Sequence, residues 1–235
     1  MQSVKCKVQN KGRGLTFAFC ILHFAFCTFL LAASPTLAQT TAGELLAGMR
    51  ARFSALKDYR CLVESKADRP KPEHMLLRYT FSKPRRIRME FQRPRRGAVA
   101  IYTGGDQVRV RRFRWLPIAR TFAITDAQMK SVQGRRVDQT DFGAFLDDFS
   151  RDAGQGTLTG GGEEVLEGRR THRLELVRTE HREARDYRKI IVFVDAKVRL
   201  PVRIETFGWA GEHLETVTFR ELEVDVGVTD DMFEF

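Results

Sequence analysis

The residues of this chain that could do chemistry are a few histidines, two pairs of adjacent acids and a run of glycines. None forms the constellation that a reaction needs. His172 and His181 stand nine residues apart among arginines, a setting of exposed strand or loop rather than of metal ligands. Asp147-Asp148 and Glu163-Glu164 are adjacent in sequence. Neighbouring side chains point in different directions, so neither pair reads as an acid/base couple. Thr159-Gly160-Gly161-Gly162 lacks the Lys-Ser/Thr that makes a phosphate loop specific and reads as a turn. No serine sits in G-x-S-x-G and no H-E-x-x-H occurs. The expectation is a non-enzymatic protein with no catalytic residue, metal or cofactor.

Charge is the next signal. The formal net charge is +10 over 235 residues. Arginine dominates, in clusters such as Arg85-Arg86, Arg95-Arg96, Arg111-Arg112 and Arg135-Arg136. Between Arg109 and Arg120 the arginines alternate with Val110, Phe113, Trp115 and Ile118. In a cytoplasmic protein that mixture would suit single-stranded nucleic acid. In an exported one it suits an anionic membrane surface, or is the basic outer face of an edge hairpin.

The first residues decide between those settings. Lys5, Lys7, Lys11 and Arg13 precede an uncharged stretch from Leu15 to Ala33, and Thr36-Leu37-Ala38 offers small residues at −3 and −1. This is the layout of a secretory signal peptide over residues 1–38. The 19-residue apolar run is nearly long enough to span a bilayer, so an uncleaved anchor is the rival; Pro35 and the small residues after it favour cleavage. Export to the periplasm argues against nucleic acid as a partner. Removing the leader's four cations leaves +6. Of the four cysteines only Cys61 follows the leader, so no intrachain disulfide is expected. Beside Leu62 and Val63, Cys61 reads as buried and inert.

Residues 39–235 read as one domain. A helix opens it: Thr41 and Glu44 have capping-box spacing, and Leu45, Met49, Phe53 and Leu56 form one stripe. Strands follow. Leu77, Tyr79 and Phe81 alternate with polar residues, as do Ile87, Met89 and Phe91. Val99 and Ile101 lead through a Gly104-Gly105 turn to Val108 and Val110. Further strands are predicted at 117–124, 157–167, 170–179, 187–195, 200–208 and 214–226. The uniformly apolar Ile190–Val194 calls for cover on both faces. A slip of phase near Arg220-Glu221 predicts a bulge. Phe142, Phe145, Leu146 and Phe149 recur at helical spacing behind Thr140 or Asp141 as N-cap, and Gly154 to Gly162 reads as a mobile loop. The fold class is mainly β: a long antiparallel sheet that curls, with a few helices on one face.

Two stretches together resemble the LolA family of periplasmic lipoprotein carriers. One is Phe81-Ser82-Lys83-Pro84-Arg85-Arg86-Ile87-Arg88-Met89-Glu90-Phe91, continuing to Thr103-Gly104-Gly105-Asp106. The other runs from Leu200-Pro201-Val202 through Thr216-Val217-Thr218-Phe219 to Asp230-Asp231-Met232-Phe233-Glu234-Phe235. The middle of the chain is closer to an uncharacterised branch of that superfamily. The resemblance implies a strongly curved, incomplete antiparallel barrel with a helical lid over an apolar cavity. It implies a binder of lipids or lipoprotein acyl chains in envelope or outer-membrane biogenesis. The expected cavity lining is Tyr79, Phe81, Ile87, Met89, Phe91 and Ile101. Lys83 stands where the family has an arginine before its proline. The same fold also supports a module that senses envelope stress by binding the extracytoplasmic segment of an inner- or outer-membrane protein.

Overall fold

Thr41 begins the first helix as its spacing predicts. Its hydroxyl accepts from the Glu44 N–H at 3.2 Å, and the Glu44 carboxylate accepts from the Thr41 N–H at 2.8 Å. The structure, a computed structural model, describes residues 41–68, 71–113, 115–131, 133–181 and 187–235. The predicted leader therefore lies outside the described residues. Helix α1 spans Ala42–Ala55 and α2 spans Phe142–Ala153, capped by Asp141, whose carboxylate accepts from the Ala144 N–H at 3.1 Å.

Between and after the helices run eleven strands: β1 Asp58–Ala67, β2 Glu73–Ser82, β3 Arg86–Arg93, β4 Val99–Tyr102, β5 Gln107–Arg111, β6 Ala119–Ala123, β7 Gly156–Leu166, β8 Arg169–Arg178, β9 Lys189–Asp195, β10 Pro201–Phe207 and β11 His213–Val224. They form one antiparallel sheet in the order β6-β5-β4-β3-β2-β1-β11-β10-β9-β8-β7. β6 and β7 are its two edges, so the sheet is open and the mainly β expectation holds. Two hairpin meanders are joined where β1, near the start of the described chain, pairs with β11 near its end.

Side-chain parity gives the sheet two faces. The inner face carries both helices. Over β8–β10 the helices contribute Met49, Phe145, Leu146 and Phe149 to a core with Leu174, Leu176, Val192 and Ile204. Over β1–β5 the inner residues are Tyr59, Cys61, Leu77, Tyr79, Phe81, Ile87, Met89, Tyr102 and Val108. They are covered by Ile124 and Val137, from a stretch whose regular structure is limited to two short 3-10 turns, Ala127–Met129 and Val137–Gln139, and by Phe142, the first residue of α2. The outer face holds Ile191, Phe193 and Val202 over one half, so Ile190–Val194 is indeed covered on both sides. On the other half it holds Val99, Ile101 and Phe233, the last from the closing 3-10 turn Asp230–Phe233.

The predicted bulge is present. The β1–β11 register slips between Arg60 and Leu62, opposite Glu221, whose φ is 51°. The glycine loop is not. Gly160, Gly161 and Gly162 lie inside β7, with a register shift between Gly160 and Glu163. A Cβ on Gly160 would meet the Ala42 backbone nitrogen at 3.1 Å, so glycine here lets the start of α1 settle on the strand.

Candidate ligand-binding face

Five of the six predicted lining residues share the inner face of β2 and β3. Tyr79 pairs with Met89, Phe81 with Ile87 and Leu77 with Phe91. Ile101 does not belong with them. It pairs with Arg88, while Ala100 and Tyr102 sit opposite Met89 and Ile87. Ile101 thus faces outward and packs on Phe233. Every residue of β4 is apolar and buried, so parity could not be read from its sequence.

The lining is filled, not hollow. Tyr79, Phe81, Ile87 and Met89 are at most 7 % exposed, and only Phe91 is half-buried. Aromatic rings make up much of the packing. Tyr59 lies 5.0 Å from Phe81 and 4.8 Å from Phe142, and Phe142 lies 4.8 Å from Phe219. A recess of about 270 Å³ opens instead on the outer side, beside Val202, Thr218 and Arg220.

Polar contacts at the β2–β3 turn fasten both covers. Lys83 Nζ donates to the carbonyls of Phe53 at 2.8 Å and Ser54 at 2.6 Å, satisfying the end of α1, and lies 5.1 Å from the Phe53 ring. Arg85 reaches the Asp141 carboxylate, at the start of α2, at 3.9 Å. Inside, the Tyr79 hydroxyl bonds the Thr140 hydroxyl at 3.1 Å and the Tyr59 hydroxyl accepts from the Phe142 N–H at 3.3 Å. Burial raises the pKa of both tyrosines and of Cys61, and keeps them neutral at physiological pH. Burial also raises Asp141, against the opposing effects of its helix N–H bonds and Arg85. One Asp141 carboxylate oxygen is buried without a hydrogen bond.

The residues first considered for chemistry are spread out. Asp147 pairs with Arg50 and Asp148 with Arg151, both on the helices. His172 is 3.8 Å from Glu163 and His181 lies 5.2 Å from the Trp209 ring. Among the described residues no group of three or more His, Cys, Asp or Glu could hold a metal ion. Asp68, distant in sequence, does come together with His213 at 2.6 Å, and His213 also bonds Thr216 of its own strand at 2.8 Å. Thr216 sits within the ladder between Lys66 and Glu205, so these contacts tie Asp68 to β11.

An open antiparallel sheet with helices on one face is a fold of known relatives. The chain is similar to an uncharacterized conserved protein from Thermus thermophilus, with a TM-score of 0.52 at 14 % identity over 83 % of this chain and 93 % of that one. It is also similar, more distantly, to a putative outer membrane lipoprotein-sorting protein domain from Vibrio parahaemolyticus (TM-score 0.42, 14 % identity, 82 % and 97 % covered). The MucA/MucB complex of Pseudomonas aeruginosa is a further neighbour (TM-score 0.47, 16 % identity, 83 % and 60 % covered). A LolA superfamily protein from Nitrosomonas europaea is also among the structural neighbours (TM-score 0.36, 11 % identity, 83 % and 98 % covered). No curated protein matches the chain in sequence. The chain belongs to the family described as "Protein of unknown function (DUF1571)", whose model matches residues 57–235.

Proposed function

We propose that this protein is an exported, periplasmic and non-enzymatic binder of apolar chains, lipid or lipoprotein acyl groups, on the inner face of β1–β5. The observation that carries the reading is the contrast between that face and its cover. Tyr59, Tyr79, Phe81, Ile87 and Met89 make one continuous apolar surface. The chain over it has little regular structure and is fastened by a few polar contacts, through Tyr79 to Thr140 and through Arg85 to Asp141 at its end. Such a cover can detach at lower cost than a packed helix. An acyl chain gains about 0.8 kcal/mol per buried CH₂ and needs no polar partner, so it can replace the apolar contacts that the cover gives up. The leader and the basic surface support an envelope location. No helix among the described residues is long and apolar enough to cross a membrane.

Native mass spectrometry of protein purified from membranes, with titration of a fluorescent fatty acid, tests the proposal. Co-purified lipid and saturable fluorescence are expected. Met89→Glu and Phe91→Glu place a charge on the face; whichever variant stays folded should lose the fatty acid. Lipid-free protein that also leaves the fatty acid unbound overturns the reading. Unchanged binding by folded variants overturns its placement.

A further inference from the structure

Of the four large apolar side chains that stand exposed among the described residues, three fall within six positions. They are Phe113 at 41 %, Trp115 at 79 % and Ile118 at 59 % exposure. All three lie on the connection between β5 and β6, at one edge of the sheet. The rings of Phe113 and Trp115 stack at 5.7 Å, and the Arg112 guanidinium lies over Phe113 at 5.6 Å. Side chains of this size in water are a liability unless a partner covers them.

The register places cations next to them. Val99 pairs with Arg111, so the β3–β4 turn and the β5–β6 connection emerge at the same end of the sheet. That turn carries Arg95 and Arg96, and Arg93 ends β3 beside it, all exposed. Arg95, Arg96, Arg112 and Arg120 have no ion-pair partner among the described residues. From residue 91 to residue 125 the chain has a single acid, Asp106, and it stands in the β4–β5 turn at the opposite end. Two adjacent tips therefore present an apolar point ringed by uncompensated arginines.

From this we infer that the β3–β4 and β5–β6 tips form a docking surface for an anionic phospholipid bilayer. Trp115 and Ile118 enter the interfacial layer and the arginines hold the head groups. Tryptophan favours that layer, and arginine can extend its charge to phosphate while its stem stays apolar. A protein partner would need matching acids and a shaped pocket for the rings; a lipid surface needs only negative charge and depth. The docking surface is distinct from the inner face, and neither depends on the other.

The test is vesicle co-sedimentation of the full chain, with phosphatidylcholine alone and with phosphatidylcholine containing phosphatidylglycerol. The chain has two tryptophans, Trp115 and Trp209. In a Trp209→Phe background the emission of Trp115 should shift to the blue on anionic vesicles and stay unchanged on neutral ones. Trp115→Ser with Ile118→Ser should weaken binding about tenfold or more without altering the melting temperature, since both side chains are exposed. Arg95→Gln with Arg96→Gln should weaken it about tenfold and flatten its salt dependence. Equal binding to neutral vesicles, as a retained apolar leader would produce, overturns the inference. So does unchanged binding in either double variant, or capture of an oligonucleotide in preference to anionic vesicles.

Discussion

The two halves of this sheet bury similar apolar surfaces under different covers. Over β8–β10, α1 and α2 lay down regular stripes, and Gly143 brings α2 so close to α1 that a Cβ there would strike the Phe53 ring at 2.4 Å. Over β1–β5 much of the cover is an irregular stretch closed by local turn bonds, such as Met129 N–H to the Asp126 carbonyl and Thr140 N–H to the Val137 carbonyl. It is held by buried Val137 and Ile124 and by polar contacts at its ends. The helical half satisfies its own backbone and so can be held by packing alone. The irregular half depends on fasteners, and fasteners can be released. The difference assigns rigidity to one half and exchange to the other.

Truncating each cover should separate them most clearly. Phe149 is 1 % exposed in the helical half, and Phe149→Ala should cost about 3–5 kcal/mol. Val137→Ala removes two methyl groups from the irregular cover and should cost only about 1–2 kcal/mol. Denaturant unfolding measures both. With a fatty-acid probe present, Val137→Ala should bind more tightly than the wild type, and Phe149→Ala should not. Equal costs, or tighter probe binding only on truncation of the helix, would reverse the assignment of the two halves.

A smaller effect is expected at Lys83. It donates to two carbonyls at the end of α1 and is partly exposed. Lys83→Met keeps the stem and removes the donors, for an expected loss of about 1–2 kcal/mol. Lys83→Arg should recover most of it, because a guanidinium can also serve two carbonyls. Hydrogen exchange should then rise at the last turn of α1 in the methionine variant alone. Uniform exchange across the sheet would mean that Lys83 contributes to general stability and does not fasten the end of α1.

How much of this was legible in the sequence follows from what leaves a periodic mark. Alternation at Leu77–Phe81 and Ile87–Phe91 marked the inner face of β2 and β3. The phenylalanine stripe marked α2, and the Arg220-Glu221 phase slip marked the bulge. β4 left no mark, because Val99, Ala100, Ile101 and Tyr102 are buried on both faces, and Ile101 was assigned to the wrong side. Glycines in β7 resembled a loop because their reason, the approach of Ala42, is tertiary. The cover from 124 to 141 has no repeat to detect. The partners of Lys83 lie far back in the chain, so only the folded structure shows what that basic position holds.

Asp141 carries the smallest and most specific difference between the halves. Its carboxylate caps α2, yet it is buried, and burial raises its pKa above the ordinary carboxylate value, with Arg85 only partly opposing. Tyr59 and Tyr79, also close, stay neutral and supply no charge. A raised folded-state pKa means that the folded protein binds this proton more tightly than the unfolded chain. The group therefore favours folding most at acid pH, and that contribution is lost as pH rises through the folded-state value. Asparagine caps a helix about as well as aspartate and does not ionise. Asp141→Asn should match the wild type in acid and become the more stable protein as pH rises toward neutrality. Arg85→Gln should move stability the other way over the same range, by removing the cation that faces the carboxylate. Melting temperatures of the three proteins across that range measure the effect. Parallel profiles would show that the Asp141 carboxylate is solvated, and that pH does not act on the cover through this residue.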